Sequence, residues 1–396
     1  MIKNVLSKIK NAKNALRSVY FWLAVLVLAF SVFLFLYPEL LGAKISYKYG
    51  QNTLVTDVKK DIQKIVAPAA SVLPPLDKVA YDAKMVKVAN NPPPPGPTTK
   101  KVKDPKTGVI TTVTVPAKPA PINIWPVANL PYPNAGAILP FHRIVAYYGN
   151  LYSKGMGVLG QYPEDIMLSM LKAEVAKWTA ADPSTPAIPA LHYIAVTAQG
   201  SAGFDGKYRA RMPNTEIDKV ITMAAKINAL VFLDVQVGFS NVETEVPLLE
   251  KYLKMPNVHL GIDPEFSMKT GIRPGKVVGT MDATDINFVA NYLAKVVRDN
   301  NLPPKVLIVH RYTEGMVTNY KQITPLKEVQ IVMDMDGWGG QAKKINTYQQ
   351  FVYKEPVQFT GFKLFYKNDI LTAGTTLMTP ETVLKLRPQP LYIQYQ

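Results

Sequence analysis

From residue 141 to the C-terminus, short apolar and β-branched runs alternate with stretches of helical periodicity. The runs fall at 143–148, 190–196, 230–237, 258–263, 306–311, 329–335, 362–366 and 391–395. Between them the spacing of apolar positions predicts helices at about 164–179, 215–227, 241–254, 284–300, 314–323, 341–352 and 380–386. Ser240 with Glu243 three residues on reads as a capping box. Thr379-Pro380-Glu381 puts proline at a first helical position. Strands alternating with helices at this spacing predict parallel βαβ units. Eight such units over 141–396 match the size of a (β/α)₈ TIM barrel, so the expected fold class is α/β. A doubly wound open sheet is the alternative, but no Gly-x-Gly-x-x-Gly turn follows the first run.

The segments after strands are long, at 150–163, 197–214, 267–283 and 367–379. Several segments after helices are short, such as Asn228-Ala229 and Met255-Pro256-Asn257. In a TIM barrel the loops that follow strands build the active face, so this chain lengthens the side that carries chemistry.

The first 140 residues follow other rules. Residues 19–37 hold Ser31 as their only clearly polar member, with Tyr20, Trp22 and Tyr37 at the ends. About 20 apolar residues span a bilayer as a helix, and amphipathic rings favour its interfaces. Lys3, Lys8, Lys10, Lys13 and Arg17 precede the span without an acid among them. Positive charge stays inside, so the reading is a cytoplasmic tail at 1–18, a transmembrane helix at 19–41 and a barrel outside the cell membrane. A cleaved signal peptide is the rival, although Leu41-Gly42-Ala43 is a poor cleavage site. Residues 42–140 read as a Pro-rich stalk, with thirteen prolines between Pro92 and Pro140. Within it Leu54, Val58, Ile62 and Ile65 predict a short helix at 53–66, and 100–103 with 109–115 predict a hairpin about the turn at 104–108.

Composition narrows the chemistry. The chain has 396 residues, no cysteine and a formal net charge of +16. Disulfides, thiolate metal sites and cysteine nucleophiles are therefore excluded. The charge sits unevenly: residues 1–130 hold 18 Lys+Arg against 6 Asp+Glu, whereas 131–396 hold 27 against 23. The basic excess thus belongs to the tail and stalk, where a membrane or an anionic cell-wall polymer is the expected partner rather than nucleic acid. No Gly-x-Ser-x-Gly elbow and no Walker loop is present.

Polar residues gather where the strands end. Strand three ends in Asp234-Val235-Gln236, strand four in Asp263-Pro264-Glu265, strand five in His310-Arg311-Tyr312 and strand six in Asp334-Met335-Asp336-Gly337-Trp338. Strand seven leads into Tyr366-Lys367-Asn368-Asp369. Side chains alternate along a strand, so if Val231, Leu233 and Val235 face helices, Asp234 and Gln236 face inward. The same parity groups Asp263 with Glu265 and Asp334 with Asp336. Two carboxylates flanking a glycosidic bond are the minimum for sugar hydrolysis. The expected catalytic residues are Glu265 as acid/base with Asp263, Asp234 or Asp336 as partner. Gln236 and His310 would position substrate, with Tyr148, Tyr193, Trp338 and Lys367 also expected at the binding site. The aromatics Tyr147 and Tyr366 lie near strand ends too.

On this strand rhythm and on Gly261-Ile262-Asp263-Pro264-Glu265, residues 141–396 resemble the glycoside-hydrolase-like (β/α)₈ barrels of bacterial cell-surface proteins, among them a group of uncharacterised ones. Chitinase-like barrels also carry an acidic motif ending in Glu at strand four, though their fuller Asp-x-x-Asp-x-Asp-x-Glu pattern is absent here. The acidic strand ends with their neighbouring aromatics point to carboxylate acid/base hydrolysis of a cell-surface or environmental glycan, with no cofactor and no metal expected. Two other readings stay open. Asp234, Asp263, His310 and Asp336 offer an oxygen-rich set for a divalent-metal-dependent hydrolase. A barrel that binds glycan without turnover is the third. His192 and His259 come early in their strands, where core or bottom-face positions are expected.

Overall fold

The computed structural model describes residues 73–117 and 123–396. The expected tail, the apolar span and the helix at 53–66 lie outside the described residues. Among the described residues no helix is long and apolar enough to cross a membrane.

Eight parallel strands close into a barrel. They are β1 (Arg143–Gly149), β2 (Ala187–Ala198), β3 (Leu230–Val235), β4 (Val258–Ile262), β5 (Lys305–Arg311), β6 (Val329–Met335), β7 (Phe359–Leu364) and β8 (Tyr392–Tyr395). Each pairs with its sequence neighbours, and β8 pairs with β1 to complete the ring. All eight expected runs are strands of this one barrel. The open-sheet alternative fails because β1 has partners on both sides.

Alternation builds two cores. Outward residues such as Val145, Leu191, Val231, Leu233, Leu260, Leu307, Ile331 and Phe362 pack beneath the helices. Inward residues Ile144, Ala146, Ala190, Phe232, Val306, Ile308, Val332 and Phe359 fill the lower barrel. Burying each such side chain contributes about 1.5–3 kcal/mol before conformational entropy is subtracted. The outer ring includes helices at Glu164–Ala181, Asn214–Ala225, Ala283–Asp299 and Gln341–Tyr348. Glu164 and Asp165 open the first of these, where the helix dipole favours acids. Asp282 and Asp285 form a capping box on the third.

Several expectations change. Over 241–254 the helix is broken into Val242–Glu245, Pro247–Leu249 and Glu250–Leu253, because Pro247 has no N–H to continue the ladder. Its cap is Asn241, which accepts from the Thr244 N–H at 2.9 Å, not Ser240. The expected helix at 314–323 is two short 3₁₀ turns, Glu314–Met316 and Tyr320–Gln322. Asn319 between them has φ 56°, which no α-helix accommodates. Thr379 does cap the turn begun by Pro380.

The stretch read as a stalk contains more order than its prolines implied. The hairpin is present, with Thr98–Lys103 antiparallel to Ile110–Val115 and both faces exposed. Asp104 Oδ1 accepts from the Lys106 and Thr107 N–H groups to make its turn. Upstream, an unexpected helix α1 (Lys78–Ala89) seats Tyr81, Met85 and Val88 against Ile144, Val306 and Phe359 at the N-terminal end of the barrel. Asp77 caps it, accepting from the Ala80 N–H. Its apolar positions are spaced at i, i+4 and i+7, a pattern that the neighbouring prolines overshadowed. The Gln330 side chain binds the 138–139 backbone through both its amide atoms, tying this segment to β6.

Candidate active site

A cavity of about 540 Å³ opens at the C-terminal end of the barrel. Gln236, Glu265, Asp336 and Lys363 line it, with the rings of Tyr148, Phe266, Tyr312, Trp338 and Phe365. The segments after β1, β3, β4, β5, β6 and β7 all contribute to its wall, with Ile194 and Ala198 of β2. This is the face that the long loops predicted. Trp338 is 51% exposed at the rim, with Lys343 Nζ 4.9 Å from its ring centre.

A buried polar layer lies under the cavity floor. Tyr148 Oη donates to Asp234 Oδ2 at 2.9 Å and approaches Asp263 Oδ2 at 3.3 Å. Gln236 Nε2 donates to Asp263 Oδ2 at 2.8 Å. His310 reaches both ways: Nδ1 is 3.2 Å from Asp336 Oδ2 and 3.4 Å from Asp334 Oδ2, while Nε2 is 3.6 Å from Asp234 Oδ1 and 3.8 Å from Asp263 Oδ1. His192 Nε2 is 3.1 Å from Asp234 Oδ1. Its Nδ1 faces the Tyr392 hydroxyl and the Gln394 amide. Lys363 Nζ pairs with Asp336 Oδ1 at 2.8 Å and sits 4.0 Å from the centre of the Tyr148 ring.

Backbone register makes room for this layer. Asp234 stands beside Gly261 on β4, and Asp334 beside Gly361 on β7. A Cβ at either glycine would collide with the neighbouring carboxylate. Two glycines in strand interiors weaken the sheet, and here each is offset by a buried acid that it admits.

Burial and neighbours divide the carboxyls. Burial, with the charges of Asp336 and Asp263, pushes the Glu265 carboxyl well above its ordinary range. Asp263 is likewise raised by burial and by Asp234. Burial also works against ionisation of Asp336, but Lys363 and His310 outweigh it and hold the carboxyl below its usual value. Asp234 is lowered too, since the two imidazoles overcome its burial. For His192 burial dominates and pushes the imidazole down to about 4. The cavity is thus lined by one carboxyl that favours its proton and one that favours its charge.

The expected residues distribute as follows. Glu265, Asp336, Gln236, Tyr148 and Trp338 line the cavity. Asp234, Asp263 and His310 lie one layer below it, fully enclosed. Tyr193 is displaced from the expected site: it packs in the outer core with Leu191 and Ala195, because it shares their parity on β2. Tyr147 is in the same core, and its hydroxyl meets that of Tyr366 at 3.1 Å. Lys367 is exposed beyond the end of β7, and the buried lysine in the site is Lys363. Parity with Gly361 could have found it. His192 was expected in the core or at the bottom face and instead meets Asp234, a position that parity with Ala190 would have allowed. His259 is the structural one, accepting from the Val306 N–H at 3.1 Å. The arginines near this end pair with other acids, Arg209 and Arg211 with Glu245 and Arg311 with Glu355.

Two groups here have metal-ligating atoms within 4.8 Å of one another: His192, Asp234 and His310, and Asp263, His310 and Asp336. No protein-family model and no curated protein matches the chain. Similar solved structures include a ruminal GH26 endo-β-1,4-mannanase, at 12% identity and TM-score 0.33, covering 72% of this chain and 67% of that one. A Bacillus subtilis mannanase matches at 12% identity and TM-score 0.33 over 64% of this chain and 79% of its own. A further B. subtilis mannanase structure gives 11% and 0.34. The closed eight-strand ring carries the fold assignment without them.

Proposed function

We propose that the barrel hydrolyses glycosidic bonds, with Glu265 as general acid and Asp336 as nucleophile or base. One observation carries this reading. Glu265 and Asp336 face the same aromatic-walled cavity, and only Asp336 has a cation beside it, Lys363 at 2.8 Å. A buried carboxyl without a partner keeps its proton, whereas one paired with an ammonium keeps its charge. Glycoside hydrolysis needs that division: one carboxyl gives a proton to the leaving oxygen, the other attacks the anomeric carbon or activates water. Asp234 and Asp263, one layer down, hold Tyr148, Gln236 and His310 in place. The exposed face of Trp338 suits a sugar ring stacked at the rim.

The test is release of reducing ends from a panel of soluble polysaccharides and cell-wall glycans. Glu265→Gln is expected to lower turnover by about 10²–10⁴-fold while binding persists. Unchanged turnover by Glu265→Gln on every glycan that the parent cleaves overturns the assignment.

The same reading places the barrel outside a cell membrane on a single anchor. Its support is the apolar span at 19–37 and the five cations before it. Intact mass of the protein in membrane fractions tests it, and a product beginning near Lys44 removes the anchor.

A further inference from the structure

Beneath the cavity floor four buried donor atoms converge without hydrogen-bond partners. They are His192 Nε2, Asp234 Oδ1, His310 Nε2 and Asp263 Oδ1. Unpaired buried polar atoms are costly, and those of His192, Asp234 and His310, all within 4.8 Å of one another, call for something between them. Their separations are 3.1 Å for His192–Asp234, 3.6 Å for His310–Asp234 and 3.8 Å for His310–Asp263. Around tetrahedral zinc, with bonds of about 2.0–2.1 Å, adjacent ligand atoms stand about 3.3–3.5 Å apart. We infer that His192, Asp234 and His310 form a seat for a divalent metal ion of the zinc class, with Asp263 beside His310.

The opposite atoms of His192, Asp234 and Asp263 are hydrogen-bonded, and that of His310 lies beside two carboxylates, as ligand support requires. Tyr148 holds Asp234 Oδ2, and Gln236 holds Asp263 Oδ2. His310 Nδ1 faces Asp336 and Asp334, a carboxylate–imidazole arrangement that leaves Nε2 its lone pair. The Tyr392 hydroxyl can accept from Nδ1–H of His192, freeing Nε2 in the same way. Gln394 Nε2 stands 3.1 Å from Nδ1, and this tautomer requires the amide to flip so that Oε1, which lacks a partner, faces it. Gly261 keeps the space open, since a Cβ there would collide with both Asp234 Oδ1 and His192 Nε2. Charge points the same way. Five buried or cavity-lining carboxyls, Asp234, Asp263, Glu265, Asp334 and Asp336, share this end of the barrel, and the buried lysine among them is Lys363. Two imidazoles with one or two acids, and no thiolate, select zinc-class ions over calcium.

The experiment uses the full chain in detergent after chelator dialysis, with Zn²⁺ or Co²⁺ alone as probe. One equivalent of Co²⁺ is expected to bind with the intense visible bands of a low-symmetry, four-coordinate site. Zn²⁺ is expected to raise the unfolding temperature progressively with its concentration. Affinity should fall on the order of 100-fold or more in His192→Gln, and comparably in Gly261→Ala. Absence of saturable binding to the folded parent protein overturns the inference, whether or not a variant folds. Equal affinity in folded His192→Gln also overturns it, by placing the ion elsewhere. These readouts need no glycan, so they stand or fall separately from the hydrolase reading.

Discussion

Lys363 Nζ lies 2.8 Å from Asp336 Oδ1, and both side chains are closed to solvent except at the cavity. The lysine comes from β7 and the acid from the loop end of β6, so the pair links adjacent strands across the barrel mouth. Burial works against both charges, and each holds the other ionised. Removing the lysine leaves the Asp336 charge buried with only the His310 imidazole beside it, at up to about 3–5 kcal/mol. Lys363→Met is therefore expected to lower unfolding free energy by about that amount in urea titration. Hydrolysis should fall with it, since Asp336 then retains its proton. A variant of parental stability and activity would remove Lys363 from the site.

Trp338 tests the rim. Its ring is half exposed, so truncation removes little packing. Trp338→Ala should leave stability within about 0.5 kcal/mol. A lost stacking partner should raise KM for oligosaccharides about tenfold with a smaller change in kcat. An unaltered KM would show that the sugar does not reach this face.

At the other end, α1 closes the barrel. Met85 inserts with Tyr81 and Val88 beneath Ile144 and Phe359. Met85→Ala should cost about 2–5 kcal/mol. Val86, on the opposite face and exposed, is the control, and Val86→Ala should change stability by less than about 0.5 kcal/mol. Equal effects of the two would show that α1 does not bury this face in solution.

Lys305 sets a pH dependence of folding. Its ammonium is enclosed at the start of β5, donating to the Met255 and Val258 carbonyls at 2.5 and 2.9 Å. Burial pushes its pKa down to about 7, from the ordinary 10.5. Between those values the unfolded chain binds the extra proton, so stability rises with pH from about 7 to 10. Below about pH 7 the cost of the buried charge is present in full. Urea midpoints at pH 6 and 9 should therefore diverge in the parent and converge in Lys305→Met. A parent and variant with the same pH slope would contradict this assignment.

Much of this was legible from one-dimensional pattern. Period-two alternation in Val231, Leu233 and Val235 puts Asp234 and Gln236 inward, and the structure has them there. Long loops after strands marked the cavity face. Tyr193 and Lys367 were misplaced by proximity to strand ends, where parity was the stronger constraint. The helix α1 was hidden because proline content describes the average of a segment, not a twelve-residue stretch within it.

By itself the sequence determined the β/α rhythm, the acidic strand ends and the separation of a basic N-terminal region from a nearly neutral barrel. Those are local properties, set by side-chain alternation and by which residues lie near one another in the chain. Only the tertiary structure decided which acids meet. Glu265 and Asp336 are 71 positions apart, and ring closure brings both to one cavity. It also decided their difference, because a carboxyl's charge depends on the cation that folding sets beside it. Lys363 reaches Asp336 and leaves Glu265 without an ion-pair partner among the described residues.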